Sequence, residues 1–155
     1  MTMFDNRPIA KTTRRHATLL ALATFVLAGC GDGRPTRVPV SGAVLIDGKP
    51  LEHGDIRLLA KNHRVAYGQL GPGGKFQLST YELGDGCVVG SHPVSISASE
   101  VLSATAIRWH APKKYQNAST SDIVIDVSDS MQPVEIQLTW AGGKPFVERV
   151  EGGGD

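Results

Sequence analysis

From Val38 to Trp140 the chain alternates apolar and polar positions with a period of two, while Ala17 to Ala28 runs without a single charge. The alternation predicts strands, because successive side chains of a strand point to opposite faces. Val38, Val40, Gly42, Val44 and Ile46 alternate with Pro39, Ser41, Ala43 and Leu45, and Asp47-Gly48 then turns the chain. Ile56, Leu58 and Ala60 follow the same rhythm, Val65–Leu70 makes a third strand, and Gly71-Pro72-Gly73-Gly74 is a turn. Lys75–Thr80 places Phe76 and Leu78 on one face; Val94, Ile96 and Ala98 alternate with serines. Ile123, Ile125 and Val127, then Val134, Ile136, Leu138 and Trp140, complete the pattern, and Trp140 is expected at the core or an edge. No stretch of this region keeps a helical period over three turns. The prediction is an all-β fold, a seven-stranded antiparallel β-sandwich of immunoglobulin-like architecture over residues 38–140.

Composition supports that reading and sets its limits. Eighteen glycines and nine prolines in 155 residues imply many turns. About a hundred residues suffice for one core without staples. Residues 141–155 are glycine-rich, lack alternation beyond Phe146-Val147, and are expected to form a disordered tail. Glu100–Ser121 is an unusually long connection, and connections of that length are often functional. It holds Arg108, Trp109, His110, Lys113, Lys114 and Tyr115. Aromatic faces stack on sugars and arginine binds carboxylates in two-pronged fashion, so Arg108, Trp109, His110 and Tyr115 are candidate ligand contacts. The plainer alternative tucks Ile107, Trp109 and Tyr115 under the loop as a cap on one end of the sandwich.

The apolar run changes where the domain is expected to work. Arg7, Lys11, Arg14 and Arg15 precede it, and twelve residues are too few to cross a bilayer as a helix, which takes about 20. A basic head and a short apolar centre have the proportions of a secretory signal. Its ending, Leu27-Ala28-Gly29-Cys30, resembles the lipobox of bacterial lipoproteins. That resemblance implies removal of residues 1–29, a diacylglycerol thioether on Cys30, and a lipidated tether over 30–37. An ordinary signal with a chance cysteine, or a core helix, is the competing reading. Arg14-Arg15 touches on twin-arginine export, though the flanking residues fit it poorly. Two or three acyl chains anchor stably where one does not. The expected partner is therefore a lipid bilayer, either the inner or the outer membrane, with the domain extracytoplasmic. Without residues 1–29, 12 basic residues face 14 acidic ones. No basic face emerges, which argues against nucleic acid.

The order of motifs also resembles a family. "VPVSGAVLIDGKPLEHGDIRL", "GQLGPGGKFQLST" and "GDGCVVGSHPVSIS" follow the plan of transthyretin-like, carboxypeptidase-regulatory-like domains. With the lipobox and "APKKYQNASTSDIVIDV", the chain resembles the small planctomycete lipoproteins of this type. The resemblance implies a fold and no particular activity. One branch of that fold hydrolyses 5-hydroxyisourate with histidines, an arginine and a closing Tyr-Arg-Gly-Ser. This chain has His53, Arg108 and His110 but ends without that tetrapeptide. It has no Gly-x-Ser-x-Gly, no His-Glu-x-x-His and no Cys-x-x-Cys. Asp85-Gly86 lacks the later carboxylates of a calcium loop. No enzyme, cofactor or metal is expected. If Cys30 carries lipid, Cys87 has no disulfide partner, and it is expected to be a packing residue in preference to a reactive thiol or a metal ligand with His92. The expectation is a non-catalytic envelope lipoprotein that serves as a structural or protein-interaction module. The alternative is a module for envelope polysaccharide or peptide that uses the 100–121 loop.

Overall fold

The computed structural model describes residues 33–149. The expected signal peptide 1–29, the lipidation site Cys30 and the last six residues of the expected tail lie outside them. The chain divides between Arg34 and Pro35, and the fold below is that of the unit beginning at Pro35.

The domain is mostly β. Among the described residues there are thirteen strands: β1 (Arg37–Val38), β2 (Ser41–Ile46), β3 (Lys49–Pro50), β4 (Asp55–Leu58), β5 (Ala66–Gln69), β6 (Lys75–Gln77), β7 (Cys87–Val88), β8 (Gly90–Ser97), β9 (Ser99–Ser103), β10 (Ala106–Trp109), β11 (Val124–Val127), β12 (Val134–Leu138) and β13 (Phe146–Arg149). Each of the seven expected strands overlaps one of these or more. One four-stranded sheet has the order β11-β8-β4-β5, and a second joins β12, β2 and β3 with β6 also on β2. Their apolar positions meet in one core: Val44, Phe76, Ile136 and Leu138 from the second sheet, Ile56, Leu58, Val94, Ile96 and Ile125 from the first. Each fully buried aliphatic side chain there contributes roughly 1.5–3 kcal/mol relative to exposure.

Three expectations change. The fold is not purely antiparallel, because β12 runs parallel to β2 in the register Val134↔Gly42 to Leu138↔Ile46. Alternation fixes which face a strand buries and carries no information on direction. Gly42 permits that pairing: a Cβ there would collide with the Val134 carbonyl oxygen and crowd the Phe76 ring. Second, Glu100–Ser121 is not a loop without regular structure. β9 and β10 form a hairpin within it, with a register shift at Ala106/Ile107, and Lys113–Gln116 makes a 3-10 turn. Every residue of β9 is exposed, so the strand has no buried face to leave a period-two signal, and the bulge breaks what remains. Third, the described part of the 141–155 segment contains β13, paired along β10 from Ala106↔Arg149 to Trp109↔Phe146. Phe146 and Val147 gain a strand because β10 offers an open edge, a tertiary effect that local composition does not report.

β2 starts beside the β1–β7 pair and ends at Ile46, while β8 starts beside β7 and ends at Ser97. Six residues of strand span about 20 Å, so the domain has two distinct ends. At the amino-terminal end, Asp85 organises the 80–86 loop. Its carboxylate accepts from the backbone N–H of Thr80 at 2.6 Å, Tyr81 at 3.1 Å and Glu82 at 3.2 Å. Arg37 Nε lies 2.8 Å from Asp85 Oδ2, yet its N–H is not aimed along that line, so the contact is ionic more than a directed hydrogen bond. Partial burial pushes the Asp85 carboxyl up, but the three backbone donors and the Arg37 charge outweigh it and hold the group below its ordinary value. Gly86, at φ 83, closes the loop where a Cβ would strike the Val38 carbonyl. Tyr81 sits between Arg37 and Arg64, whose guanidinium carbons lie 4.8 and 5.6 Å from its ring centre.

Candidate functional site

The opposite end carries a chemically varied surface. Asp47 ends β2 in a left-handed turn, φ 47, and its amide donates to the Leu138 carbonyl at 3.0 Å. That bond brings the chain after β12 over the turn, where the Trp140 amide faces the Asp47 carboxylate at 3.3 and 3.4 Å. From the other side, the His110 amide donates to the Ala98 carbonyl at 2.8 Å and fixes the residue that follows β10. His53, on the turn before β4, stacks on His110 with ring centres 4.5 Å apart and planes inclined by 27°.

Between these elements lies an open cleft of about 480 Å³ bordered by Lys49, Glu52, His53, His110, Trp140 and Lys144 among others. Its two acids are already engaged: Glu52 accepts from the Gly73 amide at 2.8 Å, and Asp47 faces the Trp140 amide. Lys49 and Lys144 are paired with no carboxylate among the described residues. The cleft thus combines a half-buried indole, two imidazoles and two ammonium groups, a set able to stack on a ring and bind an anionic or hydroxylated ligand. No cluster among the described residues has the composition of a metal site.

The four candidate residues of the 100–121 segment are separated by the hairpin. Trp109 is 6% exposed; its indole N–H donates to Glu148 at 2.9 Å, its ring stacks on Phe146, and the Lys113 ammonium lies 4.9 Å from its centre. Lys113 also pairs with Glu148, and together with the indole it holds that carboxyl below its ordinary value. Tyr115 is buried, and its hydroxyl accepts from the Thr139 amide at 3.1 Å. Both aromatics are buried, Tyr115 in the core and Trp109 against Phe146 outside the core cluster. Arg108 is exposed and pairs with Glu100 at 3.2 Å, the carboxylate that also meets His110 Nε2 at 3.2 Å. The His110 contact first, and Arg108 after it, hold Glu100 below its ordinary value. Of the four, only His110 borders the cleft.

His53 and His110 do come together, and Arg108 joins them only through Glu100. Sequence reasoning placed Trp140 in register with Leu138 and so missed its position over the cleft; the signal was the Gly142-Gly143 turn just beyond it, where the Gly143 amide donates to the Trp140 carbonyl at 3.0 Å. Lys49 and Lys144 left no signal at all. Cys87 is wholly buried, and burial pushes its thiol pKa up. His92 is buried as well and binds the Val88 carbonyl through Nε2 at 2.7 Å. Compared with known proteins, the chain matches no family model, no curated protein and no solved structure.

Proposed function

We propose that this chain is a cell-envelope lipoprotein, anchored by acyl chains on Cys30, whose β-domain is a non-catalytic structural or protein-interaction module. The two sheets that share one core are read here as a transthyretin-like sandwich of immunoglobulin-like architecture. The observation that carries the proposal is the sequence Leu27-Ala28-Gly29-Cys30 after a short uncharged run, only five residues before the folded unit begins. The interaction role is supported by the outlying sheet β13-β10-β9, whose outer strands expose Val101, Leu102, Phe146 and Val147. No helix among the described residues is long and apolar enough to cross a membrane. Radiolabelled palmitate and mass spectrometry of the membrane fraction test the anchor: an acylated amino-terminal Cys30 is expected, and Cys30→Ala should abolish it. Recovery of mature protein with an unmodified Cys30 thiol refutes the reading.

A second reading, binding of envelope polysaccharide or peptide, is favoured by the Trp140–His53–His110 cleft and no longer by Arg108, Trp109 and Tyr115. Calorimetry against acidic glycans and cell-wall fragments tests it. Binding should be lost in Trp140→Ala, and equal affinity in that variant would remove the cleft from consideration.

A further inference from the structure

The 80–86 loop holds its shape through an unusually complete set of bonds, yet it leaves Leu83 97% exposed at its tip. Asp85 gathers three loop amides and Arg37, the Gly84 amide donates to Ser79 Oγ at 2.9 Å, and Thr80 Oγ1 donates to the Gly86 carbonyl at 2.6 Å. The loop thus fixes one leucine outward, a single apolar contact that no described residue covers.

Its position says what could cover it. The folded unit begins at Pro35, five residues after Cys30, and five residues reach at most about 18 Å when fully extended. β1 then pairs directly with β7, Val38 opposite Cys87, and Arg37 holds Asp85, two residues from Leu83. A lipid on Cys30 therefore keeps this end of the domain near the bilayer, while the cleft end points away along β2 and β8. Arg64 leans over Tyr81 from the turn that also exposes Lys61; the loop's own acids are Glu82 and Asp85, with Asp85 turned inward onto Arg37 and the loop amides, and the β11–β12 turn adds the exposed Asp129 at this end.

We propose that the Tyr81–Asp85 loop rests on the membrane surface, with Leu83 in the interfacial layer and Lys61 and Arg64 facing anionic headgroups. The inference rests on lipidation of Cys30. Attachment by the tether supplies the first membrane signal, and a basic patch with one inserted side chain supplies a second that orients the domain. Because the loop is already fixed, little conformational freedom is lost when it docks.

Site-directed spin labelling of the full lipidated chain in vesicles of phosphatidylethanolamine and phosphatidylglycerol tests this. Cys87 is buried and Cys30 is blocked by its thioether, so Leu83→Cys and Leu102→Cys each provide one reactive thiol. The label at 83 should be shielded from an aqueous nickel chelate and open to oxygen, and the label at 102 should show the reverse. Arg64→Glu combined with Lys61→Glu should restore nickel access at 83 without releasing the protein from the vesicles. Equal nickel access at 83 and 102, in protein that remains membrane-bound, overturns the docking and leaves the lipoprotein reading intact. Uptake of label by Cys30 in the chain without an added cysteine overturns both.

Discussion

Replacing Asp85 by alanine should cost the domain about 2–4 kcal/mol. The carboxylate accepts from three backbone amides and lies against Arg37, and its side chain is only 14% exposed. A hydrogen bond to a charged group is worth about 1.5–3 kcal/mol when its partner is left unsatisfied. Glu82 is exposed, so water can replace the acceptor for its amide. The Thr80 and Tyr81 amides are less accessible, and the Arg37 guanidinium would be left partly buried with its charge uncompensated. Two poorly hydrated donors and one stranded cation give the stated range. With a urea m-value of roughly 1–1.5 kcal/mol per molar for a domain of this size, the unfolding midpoint should fall by about 1.3–4 M. Asp85→Asn keeps an acceptor for Thr80 but sets an amide N–H₂ against the Tyr81 and Glu82 amides and Arg37, so it should cost as much as alanine, about 2–4 kcal/mol. The same group predicts an acid limit. Its folded pKa lies below the unfolded value of 3.8, so its contribution is complete above that pH and disappears as the pH falls through the folded value. The alanine variant should lose that part of the acid dependence. A urea midpoint for Asp85→Ala equal to wild type at neutral pH would show that the loop amides and Arg37 are satisfied by water, and the argument for a built loop would fail.

Trp109→Ala should destabilise by about 3 kcal/mol and speed hydrogen exchange at β10 and β13 more than at β4 and β8, since Trp109 lies outside the main core cluster; a thermal melt within a degree of wild type would contradict its packing role. Gly42→Val should cost more than about 3 kcal/mol because the Val134 carbonyl occupies the space of its Cβ, and an unchanged urea midpoint would argue against the parallel β2–β12 register. Cys87 should not react with a thiol reagent in the native domain and should react at the rate of unfolding in denaturant; fast labelling without denaturant would place it at the surface instead of at its buried position.

How much of this was legible beforehand follows from what leaves a trace in a single chain. Ile56, Leu58, Val94 and Ile96 announce their strands because one face of each must enter the core, and period-two alternation records that demand. Gly42 stood within the alternation of its strand, and its reason is the close approach of a parallel neighbour, whose Val134 carbonyl occupies the space of a Cβ. The β9–β10 hairpin left little trace, since β9 buries nothing, and β13 left none because its partner is distant in sequence. The candidate site suffered from the same asymmetry. Trp109 and Tyr115 looked like ligand contacts by residue type, but their polar atoms are taken by Glu148 and Thr139. His53, His110 and Trp140 are separated by long stretches of chain and meet only through the turns at Asp47 and Gly54. Residue type alone cannot distinguish an indole that packs from one that lines a cleft; the neighbours that decide it are contributed by the whole fold.

The parallel pairing of β2 with β12 has a temporal consequence. The partners are about 90 residues apart, so the second sheet cannot close until almost the entire chain is available. Contacts of such long sequence separation slow folding, toward the millisecond-to-second range for β domains. A chain made amino-terminus first presents β2 long before β12 exists, leaving Val44 and Ile46 without that neighbour until nearly the whole domain has emerged. The order of synthesis thus leaves β2 without its parallel partner until all but the final strand, β13, has been made.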